Sequence, residues 1–432
     1  MSKVLVYGAS QIVQIVSNGE KYLRGKDPKI KNLKILTKHQ PEQNLCIVSE
    51  NGIIKFIGLD TDPEFSKFTS FDQKIDAQNC SVIPGLVDCH THPVWEGDRI
   101  NEFKMKLEGA GYMEIHEAGG GIHFTVKHTK EASEDQLYQS LVQRLDNFSK
   151  FGTTFVECKS GYGLEWETEH KMLRVLTKAK REFKSLSISN TYLAHAVPKD
   201  KNSEELTQDI VENQIPKMRE LIESNELQVD NIDVFCEKGV FDVQQTERIL
   251  KKALDSIEGI QINFHSDELF PLNSVEMAVR LGSKAVSHLE EISDSEIDLM
   301  SKSETVGILL PTTAIIMQLK RPPARKMLNC GCIMALGSDF NPNAYCYAMP
   351  MIMNYACVDL RLSMNEALVA ATLNSAFALG VEESRGSIEV GKCADLVIVD
   401  SQRWENIIYQ IGAHSNLIKY VLVNGNIVHQ RK

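Results

Sequence analysis

Residues 82–99, VIPGLVDCHTHPVWEGDR, join an apolar run interrupted by Pro84 and Gly85 to a polar end that carries two histidines two positions apart. In an extended strand successive side chains alternate faces, so His90 and His92 point one way while Cys89 and Thr91 point the other. Both imidazoles can therefore reach one ion. His-x-His alone is a weak signal, because a histidine often just satisfies a buried hydrogen bond. Its weight depends on what other strand ends bring.

Seven further segments repeat the pattern. TTFVECKSGYG, ISNTYLAHAV, IDVFCEKGVF, IQINFHSDE, AVSHLEE, VGILLPTT and IMALGSD each run from apolar residues into a polar or ionisable end. Between them lie helix-like stretches with apolar residues at three- and four-residue spacing, such as SEDQLYQSLVQRLDNFSKFG, ETEHKMLRVLTKAKREF and QQTERILKKALDSI. Near-continuous apolar strands suit a parallel sheet covered on both faces. Eight of them alternating with helices predict an α/β fold of the TIM type, a closed (β/α)8 barrel. An open doubly wound sheet is disfavoured, because it carries a glycine-rich turn after its first strand and GGGI at 119–122 follows no strand. Active sites of such barrels sit at the carboxyl ends of the strands. That is where His90, His92, His265, His288 and Asp339 accumulate.

The flanks read differently. NLCIVSENGIIKFIG near the start, and GSIEVGKCADLVIVD with IKYVLVNGNIVHQR near the end, are short β-type segments broken by Asn-Gly or Gly-Lys turns. They predict one small β domain built from both ends of the chain, with 1–82 and 381–432 flanking a barrel that spans 83–380. The charged stretch from Arg24 to Lys34 reads as a loop.

The chain has 432 residues, 43% hydrophobic and 24% charged, a composition suited to a soluble enzyme with more than one core. No apolar run has membrane-spanning length, and MSKVLVYGASQIVQI lacks both a signal-peptide pattern and the Arg-rich character of an import sequence. A cytoplasmic location is expected. The net charge of −11 argues against nucleic-acid and membrane partners, which need a basic face. The expected partner is a small molecule, and an anionic one would need a local cation. Ten cysteines are scattered singly, and Cys330/Cys332 has no second pair at zinc-finger spacing, so reduced thiols are expected.

PGLVDCHTHPVWEGDR, YMEIHEAGGGI, KSGYGLEWETE, HSDELFP, SHLEEIS, LPTTA, PPARKM and ALGSDFNPNAY occur in this order from about Asn44 onward. Together they resemble the imidazolonepropionase family of the amidohydrolase superfamily, which acts in histidine breakdown. His-x-His marks only the superfamily; the GDR after it, KSGYG and SDFNPN narrow the choice. The resemblance implies that His90, His92, His265 and Asp339 bind one zinc or iron ion. It implies that Arg99, Tyr162, His195 and Glu268 contact the substrate, 4-imidazolone-5-propanoate, and that Asn341 and Asn343 lie near the ring-opened product, N-formimidoyl-L-glutamate. It also implies a homodimer. One departure is visible: bacterial members usually have a glycine and then a hydroxyl residue where this chain has Asn343 and Ala344.

Opening a cyclic amide with water requires a nucleophile at neutral pH, which a metal ion provides by lowering the pKa of its water to about 7. Imidazole and carboxylate ligands suit zinc and iron alike. Glu268, three residues beyond His265, is the candidate to take the water's proton and return it to the leaving ring nitrogen. His288, which would stabilise the oxyanion or orient the water, and Asp339 complete the catalytic set. A propionate tail calls for a guanidinium, which binds carboxylate through two parallel hydrogen bonds; Arg99 is the candidate.

Each assignment has a plainer alternative. Arg99 can pair with Glu96 or Glu102 on a solvated loop, Tyr162 can be a turn residue between glycines, and His195 can be a satisfied core histidine. Cys158, Cys236, Met349, Met351 and Met353 read as core packing. Lys159 raises a two-metal site bridged by a carboxylated lysine, which the single-metal family disfavours. His116, His123 and His128 lie in or beside a glycine-rich loop, as surface or lid residues. Competing functions are a dihydropyrimidinase-like cyclic-amide hydrolase or guanine-deaminase-like aminohydrolase, against which Arg99 with Tyr162 discriminates. A ligand-free amidohydrolase-fold scaffold is a further competitor, against which the full ligand set and Glu268 discriminate.

Overall fold

A computed structural model of the chain describes residues 2–38, 40, 43–109 and 120–431. Eight parallel strands form one sheet in sequential order: β1 Leu86–Asp88, β2 Thr153–Lys159, β3 Ser187–Ala194, β4 Asn231–Cys236, β5 Gln261–Ser266, β6 Ala285–His288, β7 Val306–Leu309 and β8 Ile333–Leu336. A parallel bridge between Thr91 and Phe340 joins the chain beyond β1 to the chain beyond β8. His92 N–H donates to Phe340 O at 2.8 Å, and Asp339 N–H to His90 O at 3.0 Å. The sheet is thus closed into the expected (β/α)8 barrel, and each of the eight segments read from the sequence covers one of its strands to within one residue.

The local causes are those the pattern implied. All seven residues of β2 are buried, as a strand covered on both faces requires. The helix Glu134–Lys150 buries Leu137, Leu141, Leu145 and Phe148 along one stripe and starts at a reciprocal Ser133/Gln136 capping box. Asp242 and Gln245 start Val243–Ser256 in the same way. Cys158 and Cys236 are buried strand residues, and Met349 and Met353 are core, whereas Met351 is only half-buried.

Both chain ends fold into β structure, arranged as two sheets. A four-stranded sheet, in the order Ile53–Leu59, Leu45–Glu50, Lys3–Ala9, Gln73–Asp76, uses N-terminal residues alone. A six-stranded sheet, in the order Asn426–Gln430, Ile418–Val423, Leu396–Val399, Ser81–Pro84, Gln11–Ile15, Lys34–Thr37, combines strands from both ends. The chain passes between the sheets at Ser10, whose N–H leaves the first sheet to donate to Cys80 O at 2.8 Å. The Asn51-Gly52 and Asn424-Gly425 turns have positive φ at both residues, 51° and 80°, 47° and 75°, as tight hairpins require.

The stretch Arg24–Lys34 is not simply a charged loop. Asp27 caps the short helix Pro28–Lys31, and Leu23, Ile30 and Leu33 are buried. Arg24 donates to Ser301 O at 2.9 Å and Ser303 O at 2.7 Å, so its charge serves to anchor the segment to the barrel. Among the described residues no helix is long and apolar enough to cross a membrane. His116 and most of YMEIHEAGGGI lie outside the described residues.

Candidate active site and metal centre

Ring nitrogens of His90, His92 and His265 lie within 4.8 Å of one another, all three residues buried. The Nε2 atoms of His90 and His92 are 3.3 Å apart. Asp339 brings Oδ1 to 3.5 Å from His90 Nε2 and 3.2 Å from His92 Nε2. Three strand ends therefore converge on one point, as alternation beyond β1 and the barrel's geometry predicted. Burial first, then Lys159 and the other imidazoles, holds His90 well below the ordinary histidine range, and burial likewise lowers His92. Neutral imidazoles keep a lone pair for an ion. Burial alone would raise Asp339, but contact with His92 outweighs it and holds the carboxyl low. Three imidazole nitrogens and one carboxylate oxygen form a donor set that fits a divalent transition ion.

The ring orientations are set from behind. His90 Nδ1 lies 2.8 Å from Ser287 Oγ, and His265 Nδ1 donates to Asp233 Oδ1 at 2.9 Å. Lys159 Nζ sits between Glu157 Oε1 at 2.6 Å and Asp233 Oδ2 at 2.8 Å. Burial alone would lower the lysine's pKa, but Asp233 and Glu157 reverse the shift and keep it charged. Lys159 is thus held as a charged partner between the two carboxylates, behind His265. None of Asp233, Ser287 or Glu157 was singled out from the sequence. The available signal was an acid inside an apolar strand run, as in TTFVECK and IDVFC, which demands a buried partner.

His288 and Glu268 stand beside the cluster. The His288 ring centroid is 5.1 Å from that of His265, and His288 Nε2 is 3.6 Å from Glu268 Oε2. On its other side His288 Nδ1 is 3.8 Å from Glu290 Oε2, a carboxylate with no hydrogen-bond partner on either oxygen among the described residues. Burial takes His288 down to about 3. Burial, then the charges of Glu290 and Asp339, pushes Glu268 well above the carboxylate range. His288 and Asp339 both have positive φ, 78° and 50°, an uncommon backbone state that concentrates at functional sites.

Tyr162 and His195 extend the cluster. Tyr162 is 3% exposed, and its ring centroid is 5.3 Å from that of His195, which stacks on His92 at 5.3 Å. Tyr162 is thus turned inward, with its ring 6.2 Å from that of His92. Arg99 takes the position of the plainer alternative: Nε donates to Glu102 Oε2 at 2.7 Å and Nη2 to Oε1. The pair is not solvated, because Glu102 is 6% exposed and also receives Lys106 at 2.9 Å and Gly121 N–H at 2.8 Å. Burial opposes, but Arg99 and Lys106 outweigh it and bring Glu102 down to about 2. Asn341 turns onto its own loop, donating to Asp339 O at 2.6 Å and accepting from Asn343 N–H at 2.7 Å and Ala344 N–H at 3.1 Å. Asn343 Oδ1 accepts from Lys106 at 2.7 Å. His128 Nδ1 donates to Phe124 O at 2.8 Å within its own helix.

Residues 81–428 match the amidohydrolase family. The chain is 52% identical to a protein of Homo sapiens named probable imidazolonepropionase, over 99% of this chain and 98% of that one. It is 52% identical to a protein of Danio rerio with the same name, over 99% and 97%. Among solved structures, a guanine deaminase from C. acetobutylicum with guanine in its active site superposes with a TM-score of 0.68 over 99% of this chain and 100% of that one, at 17% identity. That last likeness shows the fold alone.

Proposed function

The chain belongs to the amidohydrolase family, and on that premise we infer that it is an imidazolonepropionase. It opens the ring of 4-imidazolone-5-propanoate with water to give N-formimidoyl-L-glutamate. The observation that carries the reading is the convergence of His90, His92 and His265 beside Glu268 and His288, in a chain whose full-length relatives bear that name.

In this reading His90, His92, His265 and Asp339 hold one zinc or iron ion, whose chemistry is to supply a water acidic enough to react at neutral pH. Glu268 takes a proton as water adds to the ring carbonyl and delivers it to the ring nitrogen as the C–N bond breaks. Its desolvation favours the protonated form, which suits the second half of that cycle. His288, neutral and flanked by Glu268 and Glu290, donates to the developing oxyanion. Tyr162 and His195 line the wall against which the ring lies. Arg99 takes the propionate through two parallel hydrogen bonds, with Glu102 as the counter-ion that holds the guanidinium in place. Asn341 and Asn343 act on the product side by shaping the loop beyond β8, since their side chains are engaged by Asp339 O and Lys106. The same reading carries a homodimer and a cytoplasmic location.

The test is turnover by metal-loaded protein of 4-imidazolone-5-propanoate, set against dihydrouracil and guanine. Activity on the imidazolone alone is expected. Preferential turnover of either of the others would replace the reading with a different amidohydrolase.

A further inference from the structure

Outside the metal cluster, the SGYG loop after β2 is shaped around one carboxylate. Glu169, on the helix Trp166–Glu182, reaches back so that Oε2 accepts Gly161 N–H at 2.9 Å, while Oε1 accepts Gly163 N–H at 2.6 Å and Leu164 N–H at 2.9 Å. The side chain is buried, the residue being 1% exposed. Both glycines are needed for this wrap. Gly161 has φ +106° and a Cβ there would lie 2.7 Å from Leu193 Cδ2; a Cβ on Gly163 would lie 2.5 Å from Glu169 N.

The loop so formed carries two consequences toward the candidate pocket. Tyr162, held between the two tethered glycines, is turned inward with its ring 6.2 Å from that of His92 and 5.3 Å from that of His195. Gly161, whose N–H is tied to Glu169, offers its carbonyl to His195 Nδ1 at 3.1 Å. That contact places the His195 proton on Nδ1 and leaves Nε2 as an acceptor. One carboxylate therefore fixes both the direction of the tyrosine and the tautomer of the histidine.

We propose that Glu169 is a positioning residue for substrate recognition, setting the SGYG loop so that Tyr162 and His195 meet the imidazolone ring, with His195 Nε2 accepting a ring N–H. The proposal rests on the reading of this site as an imidazolonepropionase pocket. A purely structural staple is the competing account, and it differs in outcome. The helix keeps its own buried contacts through Met172, Leu173, Leu176 and Ala179 whatever happens to the loop.

The experiment compares wild type, Glu169→Gln and Glu169→Asp, all metal-loaded, by steady-state kinetics on 4-imidazolone-5-propanoate. Metal content and thermal midpoint are measured on the same samples, and Glu169→Gln is also combined with His195→Gln. Gln presents N–H donors where the backbone needs acceptors, and Asp keeps the charge but withdraws it by one methylene. KM is expected to rise at least tenfold in Glu169→Gln, by more than kcat falls, with metal content unchanged and Glu169→Asp in between. In the His195→Gln background the further rise should be much smaller, because coupled residues do not add. A lower midpoint with unchanged KM, or fully additive effects, overturns the proposal; if Glu169→Gln does not fold, Glu169→Asp decides by the same KM criterion. Wild-type protein inactive on the imidazolone overturns the substrate reading and the proposal with it, whereas an active wild type with normal KM in the variants overturns the proposal alone.

Discussion

Asp233 Oδ1 accepts the Nδ1–H of His265 at 2.9 Å, and this hydrogen bond decides which ring nitrogen faces the His90 and His92 side chains. Asp233 passes the constraint on through Lys159 to Glu157, whose Oε2 accepts Thr91 N–H at 3.1 Å between the two histidines of the His-x-His pair. A buried chain of alternating charge thus links β5 to the segment beyond β1. Supporting groups of this kind typically change metal affinity about 10- to 100-fold when lost. Asp233→Asn, which frees the amide to flip and weakens the hold on the ring, should lose affinity in that range by chelator competition. Wild-type affinity in Asp233→Asn would remove the orienting role.

Lys159 gives a stability prediction from the same chain. Removing one partner of a buried ion pair leaves uncompensated charge and costs about 3–5 kcal/mol. Lys159→Met should therefore lower the thermal midpoint markedly, and intact-mass measurement of wild type should find no carboxylated lysine. A two-metal protein with added mass on Lys159 would refute the counter-ion assignment.

Arg99 separates two roles through its partner. Arg99→Met removes a charge-assisted contact worth about 1.5–3 kcal/mol, roughly ten- to a hundredfold in KM if it grips the propionate. It also leaves the Glu102 carboxylate, which is 6% exposed, with only Lys106 and the Gly121 N–H as partners among those described above, so the midpoint should fall as well. Arg99→Met combined with Glu102→Gln should recover stability without recovering KM. If KM follows stability back toward wild type, Arg99 only braces its loop.

The barrel was legible because its strands are covered on both faces and so read as apolar runs, each with a chemical group at the carboxyl end. His90 and His92 were legible because alternation is a local rule. Asp233, Glu157, Ser287 and Glu169 were not, because each takes its meaning from a partner on another strand or loop, and one sequence does not say which strand lies alongside. The division of the terminal strands into two sheets was hidden for a similar reason. Gln11–Ile15 and Lys3–Ala9 are almost continuous in sequence, and only the turn of Ser10 toward Cys80 assigns them to different sheets. The Arg24–Lys34 segment was misread because its charges dominate the composition, although Leu23, Ile30 and Leu33 carry its packing.

Glu268 supplies the pH prediction, and its sign follows from its surroundings. Burial comes first, then Glu290 and Asp339, and all disfavour the charged form, so its carboxyl titrates well above the about 4.3 of a free glutamate. A base acts only when deprotonated, so kcat/KM should rise with pH through that elevated value. Burial also takes Glu290 up to about 8, so the two carboxyls titrate as a coupled pair in which the charge of one opposes ionisation of the other. Glu290→Gln removes that opposition wherever Glu290 is ionised, so the upper part of the acid limb should move to lower pH. An upper limb that stays in place in Glu290→Gln would assign it to another group. Glu268→Gln should abolish the limb and lower turnover by about a hundred- to ten-thousandfold, the range for a positioned acid or base. Metal should remain at the wild-type level, because His90, His92, His265 and Asp339 are untouched, and substrate should still bind. Near-normal turnover would move the base to Asp339 or His288, and loss of the ion would make Glu268 a ligand instead.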